Sequence, residues 1–337
     1  MKDNYYNVGL SPEPTEWVFS NSSLSYINPS EGGHPLRLMT FFTENNEEEK
    51  SKSLERGTLL HQYMENPEGF AISTVPKPSD KLAIAADNLI ADLLTATDSV
   101  EITDAMILAN VRNVGWNSKW GDEAILKNTK DPIKAYVEEV LANRHKHILS
   151  EATAEVVKNC INALNSNEII QTVLQVGEDE EVYKEHVIVW EDNLKRKAKL
   201  DRFHVNRKGR VINHFDYKTS GASVSNFESA FESYRYYRQM AYYDKALQAF
   251  IREDLQDSLE GWIINHYIIM VETAKPFATS IYPVTDFWLK QGYHEIDNLD
   301  AILFVHYENN NFKQTHREIL NHGFNQFRNV RNREAWY

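Results

Sequence analysis

The period of the apolar and polar positions changes along this chain, and the change divides it. Near the start, SPEPTEWVFSNSSLSYINPSEGG is rich in turn formers and leads into the acidic run ENNEEEK, so residues 1–50 read as an N-terminal arm ending in a surface loop. From Leu54 to about Glu65, LERGTLLHQYME has helical composition, with Leu60, Tyr63 and Met64 near one another on a face, and Pro67 and Gly69 stop it. Stretches rich in Ala, Leu, Glu and Lys then predict helices at roughly 79–95, 101–112, 119–144 and 146–165. After Gly177 the residues become β-branched and aromatic. VYKEHVIVW (182–190), KAKLDRFHV (197–205) and the run 210–218 predict a three-stranded meander, with turns at Asn193 and Lys208-Gly209. A long helix over about 224–252, two more strands in GWIINHYIIMVE and FATSIYPV joined by a turn at Lys275-Pro276, and a helical C-terminal segment complete the pattern.

A chain of 337 residues with 42% hydrophobic and 25% charged residues can bury a sizeable core, which excludes wholesale disorder. No apolar run approaches the roughly 18 residues of a membrane helix, and MKDNYYNVGL lacks the plan of a signal peptide, so the expectation is a cytoplasmic protein with no membrane partner. The single Cys160 excludes an intramolecular disulfide framework, a Cys-rich zinc site and a four-cysteine iron–sulfur cluster. Any metal must be held by oxygen and imidazole. The net charge of −13 argues against a protein that coats nucleic acid with its whole surface, yet leaves local basic patches. One runs through Lys195, Arg196, Lys197, Lys199, Arg202, Arg207, Lys208 and Arg210, and a smaller one lies at Arg328, Arg331 and Arg333.

Asp216 and Lys218 are two apart on an expected strand, so their side chains project to the same face. Asp201 lies on the preceding strand, where a hairpin register can bring its carboxylate beside that of Asp216. Two carboxylates so placed repel unless a cation sits between them, and hard oxygen donors favour Mg2+ or Mn2+. Spacing alone does not make a site, since Glu48-Glu49-Lys50 has the same acid-x-lysine form in a charged loop. Strand placement separates the two cases. On the long helix, Gln239 and Tyr243 are four apart and share a face.

These residues follow one another in a recognisable order. Gly57 to His61 in GTLLH, Lys197 to Asp201 in KAKLD, Asp216-Tyr217-Lys218-Thr219, and Gln239 to Tyr243 in QMAYY resemble the RecB-like branch of the PD-(D/E)xK nucleases, nearest to the phage and prophage exonuclease VIII (RecE) group. The similarity runs in pieces over most of the chain and is densest between residues 181 and 247. Lys199 stands where the group often has Arg, and Asn213-His214 interrupts a commonly apolar strand.

The resemblance implies an α/β fold, a restriction-endonuclease-like mixed sheet flanked by helices with helical insertions. On that reading residues 1–337 form one nuclease domain: the 1–50 arm, an active-site helix at 54–66, a helical insertion at 79–165, a catalytic core at 181–284 and a helical segment at 285–337. It implies His61, Asp201, Asp216 and the backbone carbonyl of Tyr217 as metal ligands, Lys218 as the residue acting on the attacking water and the transition state, and Gln239 and Tyr243 as positioning groups. DNA contacts are expected from Lys197, Lys199, Arg202, Lys208, Arg210, Arg235 and Arg238. The implied activity is an Mg2+- or Mn2+-dependent exonuclease on duplex DNA ends, working as a ring-like homo-oligomer with a single-strand annealing partner. An endonuclease or partner-directed subunit of the same fold is the first alternative, and an inactive DNA-binding or structural protein is the second. No GxxxxGK[ST] loop is present, so a helicase would have to be another chain.

Overall fold

A computed structural model of the protein describes residues 5, 8–44, 59, 60, 63, 67–95 and 101–323. The chain divides into two compact units, residues 54–163 and residues 1–53 with 164–337. The larger unit begins with α1 (Asn21–Ser25) and α2 (Pro35–Thr43).

The smaller unit contains β1 (Phe70–Ile72), α3 (Asp80–Thr95), α4 (Asp104–Asn113), α5 (Asp122–Ala142), β2 (His147–Leu149) and most of α6 (Glu151–Ser166). Helices α3 to α5 bury one apolar face each, with Leu89, Ile107, Val111, Ile125 and Val137 fully enclosed. The start of the expected 146–165 helix is instead a strand, because β2 pairs in parallel with β1 from Phe70–His147 to Ile72–Leu149. Ser150 ends it, and its hydroxyl accepts the Thr153 N–H at 3.2 Å as helix α6 begins.

In the larger unit α7 (Glu168–Leu174) precedes three strands: β3 (Glu180–Glu191), β4 (Lys195–Asn206) and β5 (Val211–Ser220). Helices α8 (Phe227–Ser233) and α9 (Tyr236–Glu253) cross over to β6 (Ile263–Glu272) and β7 (Thr279–Pro283). Helices α10 (Asp286–Glu308) and α11 (His316–Leu320) follow. The sheet order is β3-β4-β5-β6-β7, antiparallel throughout except for the parallel pair β5–β6 that the helical crossover permits. It is a mixed α/β fold with a mostly antiparallel sheet flanked by helices.

Helix α9 lies over β3, β4 and β6 and buries Ala241, Tyr242, Leu247 and Phe250 in an aromatic-rich core with Phe203 and Trp190. The arm is stitched to the same core. Phe19 pairs with the start of β4, its N–H donating to Lys195 O at 2.8 Å and its carbonyl accepting from Lys197 N at 2.7 Å. The Tyr242 hydroxyl also donates to Phe19 O, at 2.7 Å.

The continuous helix expected over 224–252 is broken between α8 and α9, although no Gly or Pro marks the place. Arg235 adopts a left-handed backbone conformation (φ 53°, ψ 41°), which costs a non-glycine residue about 1–2 kcal/mol. Its guanidinium is tied to Glu295 at 2.8 Å and to Ser30 Oγ at 2.8 Å, contacts that offset the cost from distant parts of the chain. Among the described residues no helix is long and apolar enough to cross a membrane.

Helix α10 approaches α9 closely at Gly292. A Cβ there would lie 2.6 Å from the Ala241 Cβ and nearer still to the Tyr237 carbonyl oxygen. Gly292→Ala should therefore destabilise the larger unit by about 1–3 kcal/mol, as overpacking does. Urea unfolding checks this, and an unchanged midpoint would refute the close approach.

Candidate active site

The antiparallel ladder between β4 and β5 runs from Asn206–Val211 to Arg202–Phe215 and stops there. Asp201 and Asp216 would be the next pair. Instead the Asp201 carboxylate accepts the Tyr217 N–H at 2.9 Å, so a side chain takes a backbone donor where the strands part. On the other side the β3–β4 ladder passes from Lys184–Arg202 to His186–Leu200, skipping Glu185, whose φ is 45°. Asp201 thus stands at an irregular point of both ladders. Glu185 is buried and ion-paired with Lys199.

Asp216 is 1% exposed, and the Lys218 ammonium lies 2.5 Å from its carboxylate and 5.0 Å from the centre of the Tyr236 ring. Burial alone would lower the Lys218 pKa, but the carboxylates of Asp216 and then Asp201 outweigh it and hold the amine above its ordinary value. Lys218 is therefore an ammonium at neutral pH. On α9, the Gln239 amide donates to the Tyr243 hydroxyl at 2.8 Å. Burial, followed by the charges of Asp216 and Asp201, pushes the Tyr243 phenol well above its ordinary value, so it remains a hydroxyl beside the two acids. The structure brings Asp201, Asp216, Lys218, Gln239 and Tyr243 to one place.

Sequence reasoning missed a chain of buried polar groups on the same face. His214, two residues before Asp216, has its Nδ1 3.0 Å from Nδ1 of His266, whose Nε2 is 2.9 Å from the Asp244 carboxylate. Asp244 also accepts from Gln248 at 2.7 Å and from the Tyr293 hydroxyl. Between the two Nδ1 atoms one imidazole donates and the other accepts. The His214 Nε2 is buried, without a hydrogen-bond partner among the described residues. The one sequence signal was the polar interruption Asn213-His214 in an otherwise apolar strand.

Among the described residues no three His, Cys, Asp or Glu side chains are gathered closely enough to enclose a metal ion. The donor set still fits a hard divalent cation. Mg2+ is commonly held by one or two carboxylates together with waters and substrate phosphates, and Asp201 and Asp216 supply such a pair. His61 and most of the 54–66 segment lie outside the described residues, as do Arg328, Arg331 and Arg333.

The basic residues expected at DNA have varied surroundings. Arg238 is 2% exposed, with its guanidinium bound to Glu31 at 2.5 Å, Ser25 Oγ at 2.7 Å and Glu295 at 3.1 Å. Lys197 is buried and donates to the Tyr5 and Val8 carbonyls, both at 2.7 Å. These two cations hold the N-terminal arm and present no charge to a duplex, contrary to the expectation for them. Arg235 is engaged by Glu295 and Ser30, and Lys199 by Glu185. Arg202 donates to His204 at 2.9 Å and to the Leu174 carbonyl at 3.1 Å. Lys208 and Arg210 occupy the outer turn of the β4–β5 hairpin, roughly 17 Å along the strands from the acids. There they pair with Asp179 at 3.5 Å and Asp257 at 3.1 Å.

An acid on one strand, an acid-x-lysine on the next, and a following helix with paired polar groups define a nuclease domain of the PD-(D/E)xK class. The chain belongs to the family described as PDDEXK-like domain of unknown function (DUF3799), whose family model matches residues 23–315. Similar solved structures include a Eubacterium rectale protein provisionally named an exonuclease, at 13% identity and a TM-score of 0.47, covering 96% of this chain and 88% of that one. Another is SSO0001, at 13% identity and a TM-score of 0.23, covering 64% of this chain and 84% of that one. None of the curated proteins matches.

Burial, and for His214 the neighbouring His266, holds the imidazoles of His204, His214 and His306 below the ordinary value of 6.5. Below that pH the unfolded chain takes up protons that the folded chain does not, so stability is lost as pH falls. The slope approaches about 1.4 kcal/mol per pH unit for each imidazole. Denaturant unfolding at pH 7.5, 6.5 and 5.5 checks the sign. A flat profile would contradict neutral buried histidines.

Proposed function

We propose that the chain is an Mg2+- or Mn2+-dependent deoxyribonuclease that hydrolyses phosphodiester bonds from the ends of linear duplex DNA. One observation carries the proposal: the Asp201 and Asp216 carboxylates are held beside a charged Lys218 where β4 and β5 part. A divalent cation held by the two acids would supply a polarised water and neutralise a phosphate oxygen, the two requirements for attack on an anionic diester.

The protein's own groups then have separate tasks. Asp201 and Asp216 would hold the cation, with the Tyr217 carbonyl as a further ligand on the family resemblance. Lys218, kept protonated, donates to phosphate oxygens and stabilises the charge that develops on them, which suits it to electrostatic stabilisation rather than to general-base catalysis. Gln239 and Tyr243 orient the water or the phosphate through their coupled amide and hydroxyl. Lys208 and Arg210 contact the duplex backbone further along. Preference for ends, a ring-like assembly and an annealing partner rest on the resemblance to the exonuclease VIII group.

Linearised and covalently closed forms of one plasmid, incubated with protein and Mg2+, test the proposal. Linear DNA should be degraded and the closed circle should survive, and Asp216→Asn should reduce degradation by about a hundredfold or more. Equal loss of the circle would make the enzyme an endonuclease, and an active Asp216→Asn would remove the site.

A further inference from the structure

At the break between α8 and α9 the Tyr236 ring lies beside Lys218, and the Tyr234 ring lies beside that of Tyr236. Tyr234, the last residue before the left-handed Arg235, is 69% exposed. Its ring centre is 5.8 Å from that of Tyr236, and the Tyr236 ring is in turn stacked on Phe227 at 5.8 Å and lies 5.0 Å from the Lys218 ammonium. The rings therefore lead from solvent to the lysine of the candidate active site. Strained backbone conformations persist where the surroundings over-determine them, and they cluster at functional sites. Here Glu295 and Ser30 hold Arg235, so the outward placement of Tyr234 is fixed by contacts remote from the ring itself. A large aromatic ring left in water, one ring away from the Lys218 ammonium, matches the way proteins hold single strands, with bases stacked on aromatic faces and phosphates on basic groups.

We propose that Tyr234, supported by Tyr236, stacks on an unpaired nucleobase of the strand whose phosphate lies at Lys218, so that the substrate is engaged with its bases separated at the site. The inference rests on the nuclease reading given above and adds the state of the bound DNA. Tyr236 serves two ends: one face of its environment steadies the ammonium, and its ring backs the exposed Tyr234. A duplex end would have to fray before entering, whereas an unpaired overhang would enter directly.

The test uses the full chain carrying Asp216→Asn, with Mg2+ and fluorescently labelled single-stranded oligonucleotides in which one abasic nucleotide is moved stepwise along the strand. Adding Tyr234→Ala should weaken binding of the intact strand by about 5- to 140-fold, the range expected for one base–aromatic stack. Adding Tyr234→Phe, which keeps the ring, should leave affinity within about twofold of the parent, well inside that range. At one position the abasic nucleotide should weaken binding to the parent but not to the Tyr234→Ala form, because the stack is already gone. Equal affinity of the Tyr234→Ala form and the parent for the intact strand would overturn the inference, as would an abasic penalty that is the same in both. Failure of the nuclease reading is seen separately, as wild-type protein that leaves linear DNA uncut in Mg2+.

Discussion

Two carboxylates and one ammonium must be kept together, largely out of water, at the place where β4 and β5 separate. Asp216 is almost fully enclosed, and Asp201 is held by a backbone N–H of the neighbouring strand instead of by a regular ladder. Burying like charges side by side is costly unless a cation intervenes, and Lys218 supplies part of that compensation from the same strand face. The rest of the larger unit serves this arrangement. Helix α9 covers the acids with Gln239 and Tyr243, and β6 provides His266 beside His214. The β3–β4 ladder is interrupted at Glu185 and Asp201.

The acidic balance of the chain and its proposed anionic substrate are compatible because the cations are distributed by task. Several of the most conspicuous basic residues are internal. Arg196 is fully buried between Asp192 and Asp300, and Arg238 joins Glu31 to Glu295. Such pairs fix the arm and α10 against α9. On the proposed function the phosphate contacts fall to Lys218 at the centre and to Lys208 and Arg210 at the hairpin turn, not to the whole basic segment 195–210.

Much of this is legible in the sequence. Alternating β-branched and aromatic residues gave the meander, and a spacing of two put Asp216 and Lys218 on one face, while hairpin geometry allowed Asp201 to reach them. What could not be read depended on partners far away in sequence. The kink at Arg235 has no local signature, because residues 30 and 295 stabilise it. Lys197 and Arg238 looked like surface charge, since composition does not distinguish a solvated cation from one that is paired inside. His214 was visible only as a blemish in an apolar strand, because its partner His266 lies in another strand and Asp244 in a helix.

On the proposed function Lys218 acts as a fixed positive charge on the reacting phosphate. Single-turnover cleavage of end-labelled DNA by saturating Lys218→Met protein in Mg2+, with DNA affinity measured alongside, addresses it directly. The chemical step should slow by about a hundredfold or more while DNA affinity changes little, since the charge is needed most in the transition state. A rate within a few-fold of wild type would contradict this role for Lys218.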